Sequence, residues 1–147
     1  MSDATYFVQY TNCLEAVGFH LRFVGAGAAA VPTFIEGDGG FVTSTGTATP
    51  TSTGNEWVLA RTSTGVLTLK SVNPWAGCYE FSGGLFLASA DSSNTSGVQV
   101  TALPSQNATT HIWTFNFNVY VAATLTDLAS TQNLWLSIVM RNELTSP

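Results

Sequence analysis

Hydrophobic and polar residues alternate along most of this chain. Val17, Phe19, Leu21 and Phe23 are separated by Gly18, His20 and Arg22. His111, Trp113, Phe115, Phe117, Val119 and Val121 alternate with Ile112, Thr114, Asn116, Asn118 and Tyr120, and Val98, Val100 and Ala102 with Gln99 and Thr101. Successive side chains of a strand point to opposite faces. A period of two therefore predicts strands with one face in a core and the other toward solvent or a partner. Further strands are expected at Thr5–Tyr10, Gly40–Thr45, Asn55–Arg61, Val66–Val72, Gly77–Phe81, Gly84–Ser89 and Leu134–Arg141. Gly, Pro, Asn or Ser clusters separate them. About ten short strands with such turns predict an all-β fold, an antiparallel β-sandwich or barrel of jelly-roll-like type, as a single domain over residues 1–147.

Between the strands the pattern weakens. Gly25–Pro32 is small, apolar and bracketed by Gly and Pro, which predicts a loop or short turn. Thr124–Thr131 is compatible with one helical turn capped by Thr126 or Asp127. The Thr/Ser/Gly-rich stretch at 43–55 reads as a mobile surface hairpin or linker, part of which can still pair as strand because Thr is β-branched. Glu36-Gly37-Asp38-Gly39-Gly40 reads as a polar turn before Phe41 rather than a calcium loop, because calcium takes 6–8 oxygen ligands.

The last strand departs from simple alternation. Leu134, Leu136, Ile138 and Met140 make one apolar face, while Trp135 and Val139 place apolar bulk on the other. An antiparallel strand that is apolar on both sides is central to two layers or buried in an oligomer. Composition favours the oligomer. Only 9% of the 147 residues are charged, and 21 Thr and 14 Ser supply the polarity instead. Charge is the usual guard against edge-to-edge aggregation, so a charge-poor β surface makes sense when much of it lies against partners. The candidate oligomer or partner interface is Trp135, Val139, Arg141, Trp75, His20 and Arg22, with Trp75, in the turn after Asn73-Pro74, expected to be the most exposed aromatic.

Charge excludes other classes. The net charge is −5, and the cations are Arg22, Arg61, Lys70 and Arg141, widely spaced. Direct nucleic-acid binding needs clustered cations to displace counterions, and a membrane-surface helix needs a basic face. Neither partner is expected. No apolar run approaches the roughly 18 residues of a membrane span. The Met1-Ser2-Asp3-Ala4 start has no signal-peptide pattern, so a reducing cytoplasm is expected for synthesis, with Cys13 and Cys78 as free thiols. Two sequons, at Asn94 and Asn107, read as chance matches.

No catalytic motif emerges. There is no glycine-rich phosphate loop before Lys70, no metal-ligand spacing and no nucleophile elbow. His20 lies on the polar phase of its strand, and His111 opens a strand on its apolar phase; neither has a nucleophile motif beside it. No enzyme activity, metal or cofactor is expected.

One resemblance bears on function. Arg61-Thr62-Ser63-Thr64-Gly65-Val66-Leu67-Thr68-Leu69, the Asn73-Pro74-Trp75 turn, the acidic turn Leu125–Ala129 and the closing strand Leu134–Val139 before Met140-Arg141-Asn142 resemble small structural proteins of tailed bacteriophages. The resemblance covers about the C-terminal two-thirds and implies a capsid decoration (cement) protein. Such a protein is expected to be a β-rich homotrimer on the outer capsid surface of the virion, bound to the major capsid protein and stabilising the shell. Alternatives are a tail or head-fibre component, or a carbohydrate-binding β-sandwich module stacking sugars on Trp75 or Trp57.

Overall fold

Each long alternating segment forms a strand in the computed structural model, which describes residues 7–11, 14–38, 41–45 and 55–142. The strands are β1 (Phe7–Thr11), β2 (Leu14–Val24), β3 (Thr33–Asp38), β4 (Phe41–Thr45), β5 (Asn55–Ser63), β6 (Val66–Ser71), β7 (Gly77–Phe86), β8 (Gly97–Val100), β9 (Ser105–Gln106), β10 (Trp113–Val121), β11 (Thr124–Leu125) and β12 (Asn133–Asn142). Ten of these have four residues or more; β9 and β11 have two.

They form two sheets. The five-stranded sheet runs β1-β2-β12-β7, with β3 sharing one edge of β2 with β1. The seven-stranded sheet runs β11-β10-β6-β5-β4, with β8 and β9 on the other edge of β10. All pairings are antiparallel except β4 with β5. The sheets stay open, so the fold is a sandwich and not a barrel.

The alternation decides what lies between the sheets. Phe19, Leu21 and Phe23 of β2 and Leu134, Leu136, Ile138 and Met140 of β12 face Trp57 and Leu59 of β5, Leu67 and Leu69 of β6, and Phe115, Phe117 and Val119 of β10. Each is almost wholly removed from water. Aromatic rings cross the interlayer: Phe19 meets Trp57 edge-on at 5.1 Å, and Phe81 lies 4.6 Å from Phe115. Such pairs add about 0.5–1.5 kcal/mol beyond area burial.

One end of the sandwich is tied by a single carboxylate. Asp127 Oδ1 and Oδ2 accept from Arg61 Nε and Nη2, both at 2.8 Å. The same oxygens accept from the backbone N–H of Gly65 at 3.0 Å and of Ala29 at 2.9 Å. Four bonds thus join the β2–β3 loop, the β5–β6 turn and the loop before β12. The ion pair is largely shielded from solvent. Gly65 has φ +64°, and a Cβ there would sit 2.6 Å from the Thr126 nitrogen, so the turn needs glycine on both counts.

Several expectations need correction. Glu36, Gly37 and Asp38 belong to strand β3 and not to a turn, because β2 offers them a free edge. The stretch 124–131 forms no helical turn: Thr124 and Leu125 pair with β10, and Asp127 binds Arg61 instead of capping. Gly77–Phe81 and the first part of Gly84–Ser89 merge into β7, which runs through Ser82-Gly83 because β12 pairs along it and ends at Phe86, leaving 87–89 outside any strand. His111 lies before β10, exposed and with φ +56°, its N–H donating to the Asn107 carbonyl. Residues 46–54 of the expected loop lie outside the described residues, as do Thr5, Tyr6 and Cys13; residues 43–45 and 55 belong to β4 and β5.

The Arg61 hydrogen bond, aided by the Gly65 and Ala29 amides and opposed by burial, lowers the Asp127 carboxyl to about 2. A carboxyl depressed on folding contributes stability that is complete above its unfolded value near 4 and is lost as pH falls through about 2. The melting temperature is expected to hold between about pH 7 and 5 and to drop between about 4 and 2. Asp127→Asn should lower it at neutral pH and flatten that acid slope, which calorimetry across pH would measure. Phe19→Ala should cost about 3–5 kcal/mol in urea unfolding.

Candidate docking and binding site

β12 sits between β2 and β7, and this gives its outward side chains neighbours on both sides. The register places Glu36 of β3 opposite Arg22 of β2, Arg22 opposite Trp135 of β12, and Trp135 opposite Gly84 of β7. One row of side chains therefore crosses four strands on the outer face of the five-stranded sheet. The next row holds His20, Ser137 and Ser82.

Gly84 sets how Trp135 lies. A Cβ on Gly84 would be 2.6 Å from each of Cε2, Cζ2 and Nε1 of the indole. The Nε1–Cε2–Cζ2 edge of the indole therefore packs close to Gly84, and 36% of Trp135 stays exposed. Phe86, two residues along the same face of β7, is 55% exposed. Arg22 Nη1 and Glu36 Oε1 are 3.0 Å apart in a solvent-exposed ion pair, a class worth about 0–1 kcal/mol to stability. His20, Arg22, Glu36, Gly37, Phe86 and Trp135 line a shallow groove of about 480 Å³.

The six candidate interface residues are not one patch. His20, Arg22 and Trp135 meet in the groove. Val139 and Arg141 lie toward the other end of β12, Val139 opposite Glu80 and Arg141 opposite Gly77, with Arg141 Nη2 donating to the Ala76 carbonyl at 3.4 Å. Trp75 belongs elsewhere. It is half-buried, packs edge-on against Phe19 at 5.4 Å, and its carbonyl accepts from Trp113 Nε1 and Gln106 Nε2. The turn folds inward because these donors and the His111 carbonyl hold its backbone. Trp57 is wholly buried. Of the four tryptophans, Trp135 is the exposed one.

Sequence reasoning missed Gly84, Phe86 and Glu36 as parts of this groove. Alternation shows which residues point outward but not which strands lie side by side. Elsewhere, burial pushes the Cys78 thiol up to about 11, so it is protonated at neutral pH; Cys78 is a free thiol. Among the described residues, no three His, Cys, Asp or Glu are grouped to hold a metal, and no helix is long and apolar enough to cross a membrane.

Comparison of the chain with protein-family models, with characterised proteins and with solved structures found no match.

A Cβ on Gly84 would clash with the indole, so Gly84→Ala should displace Trp135 from its seat. Acrylamide quenching should then increase and emission shift to the red, with the β circular dichroism retained. Unchanged quenching would show that the indole does not depend on Gly84.

Proposed function

We infer that this chain is a non-catalytic structural protein of a virion. In this reading it is a capsid decoration protein that sits on the outer shell as a homotrimer and stabilises it through contacts with the major capsid protein. The observation that carries the reading is a set of large apolar side chains exposed on a surface with few charges. Tyr79 on β7 is 53% exposed, Val100 at the end of β8 is 40% exposed and Leu103 just beyond it is 89% exposed. β7 and β8 belong to different sheets and meet at the seam of the sandwich, where a Cβ on Gly83 would sit 3.4 Å from Val98. Val139 of β12 lies opposite Glu80, next to Tyr79. Exposed apolar side chains of this size mark surfaces that meet partners.

Two further features support it. The segments that resemble phage structural proteins meet in space: Arg61 from the β5–β6 hairpin grips Asp127 from the acidic turn. They build a rigid frame rather than a reactive centre. The net charge of −5 suits an outer surface better than a DNA-packed interior. Weak contacts to the shell suffice when many copies bind one particle, because avidity multiplies them.

Quantitative mass spectrometry of purified particles against the major capsid protein tests this. Hundreds of copies per particle are expected, and a Tyr79→Ser, Leu103→Ser chain should fold normally yet be depleted from particles. A handful of copies would assign the chain to a tail or fibre, and absence from particles would end the virion reading.

A further inference from the structure

We propose that the free edge of β7 binds a second copy of this chain. The two β7 strands pair edge to edge about a two-fold axis at Gly83, and the five-stranded sheet continues from one copy into the other. This goes beyond the virion reading and does not rest on it; a two-fold contact here is compatible with a three-fold one elsewhere on the chain.

The edge is open and poorly guarded. Among the described residues, β7 pairs with β12 on one side and with no strand on the other. β8 lies beneath it in the other layer, where a Cβ on Gly83 would sit 3.4 Å from Val98. None of the ten residues of β7 is buried. Yet Phe81 and Leu85 are on its inward phase, opposite Ile138 and Leu134 of the core. Together with Val98 they pack against the core but keep part of their surface in water. The core is therefore incompletely closed along this seam. An edge strand also presents a row of unpaired N–H and C=O groups, which charge, proline or a bulge commonly guards. Here a bulge between Cys78 and Glu80 guards only the start of the strand. From Phe81 to Phe86 there is no charge and no proline.

The register selects a second copy. A two-fold axis normal to a sheet pairs two identical edges antiparallel and keeps their inner faces on one side. Beyond the bulge, β7 runs from Glu80 to Phe86, and the midpoint of that run is Gly83. Full overlap sets Gly83 against its own mate, Ser82 against Gly84, Phe81 against Leu85 and Glu80 against Phe86. One edge thus supplies both members of every pair. Phe81 and Leu85, each half-buried in a single copy, cover one another across the axis, above the two Val98 side chains. Glu80 faces Phe86 and not a second Glu80, so no like charges meet directly. Seven residues at about 3.4 Å each, across two layers about 10 Å apart, give on the order of 1,000 Å² of contact counting both copies, the low end of specific interfaces.

Cysteine cross-linking tests this register. In the full chain with Cys13 and Cys78 changed to Ser, Glu80→Cys and Phe86→Cys are introduced, both at exposed positions. Directly opposite residues of antiparallel strands have Cα atoms about 4.5–5.5 Å apart, which a disulfide spans, whereas the two positions are about 20 Å apart within one chain. Oxidised glutathione is expected to give a covalent dimer on a non-reducing denaturing gel, and either cysteine alone is expected to give none. The gel counts this contact only, so its outcome is independent of trimer formation and of capsid binding. Adding Ser82→Lys should abolish the cross-link, because it places two lysines diagonally across the axis on a bare edge. Circular dichroism checks that each variant folds. A folded double variant that stays monomeric would leave the edge to a strand of another protein and overturn the proposal. So would equal cross-linking by the single variants, or a cross-link that survives Ser82→Lys. If the cysteine variants do not fold, sedimentation of the unsubstituted chain against Ser82→Lys, at the highest soluble concentration, decides instead: the mass is expected to fall, and an unchanged mass would overturn the proposal.

Discussion

β12 is the last described strand in the sequence, yet it lies in the middle of its sheet. Asn133–Asn142 pair with β2 on one side and with β7 on the other. Neither neighbour is local, so the five-stranded sheet is complete only when the end of the chain has docked. The position also explains why both faces of the strand are apolar. Leu134, Leu136, Ile138 and Met140 fill the interlayer, and the same register that aligns them lays Trp135 between Arg22 and Gly84 outside. A one-residue slip would put Trp135 in the core and Leu136 in water, because side chains alternate strictly. Core packing therefore holds the outer groove in register.

Large apolar side chains are exposed in two parts of the outer surface. Tyr79 of β7, Val100 of β8 and Leu103 just beyond it are exposed, and removing such side chains from water favours association with little need for directional bonds. The groove sets Trp135 beside the Arg22–Glu36 ion pair. At the end of the sandwich where β12 begins, Asp127 joins three loops with four hydrogen bonds. A carboxylate so completely paired avoids the cost of a half-satisfied buried charge, and it stiffens the frame that presents both surfaces.

Much of this architecture was legible in the sequence, and the limits have physical reasons. Period-two runs such as Val17–Phe23 and Leu134–Met140 located the core strands and their buried faces, because burial of one face is what alternation records. β3 was missed because Thr33–Asp38 is short, holds a glycine and pairs only through part of β2. The Arg61–Asp127 clamp spans 66 positions, and no local pattern marks such a pairing. Trp75 looked exposed because it follows a proline turn; distant donors, Trp113 and Gln106, turn it inward. The outward phase of Trp135 could be read from β12 alone, but its close seat against Gly84 could not, since that depends on a strand some fifty residues earlier.

The central proposal is that this chain serves as a capsid component, with the β7–β8 seam against partners and Trp135 facing outward. A cryo-electron microscopy reconstruction of the purified particle tests it most directly. The account predicts the sandwich on the outer capsid surface, with Tyr79 and Leu103 against shell or neighbouring copies and the Trp135 groove open to solvent. A reconstruction with the seam in solvent and Trp135 packed against the shell would contradict it.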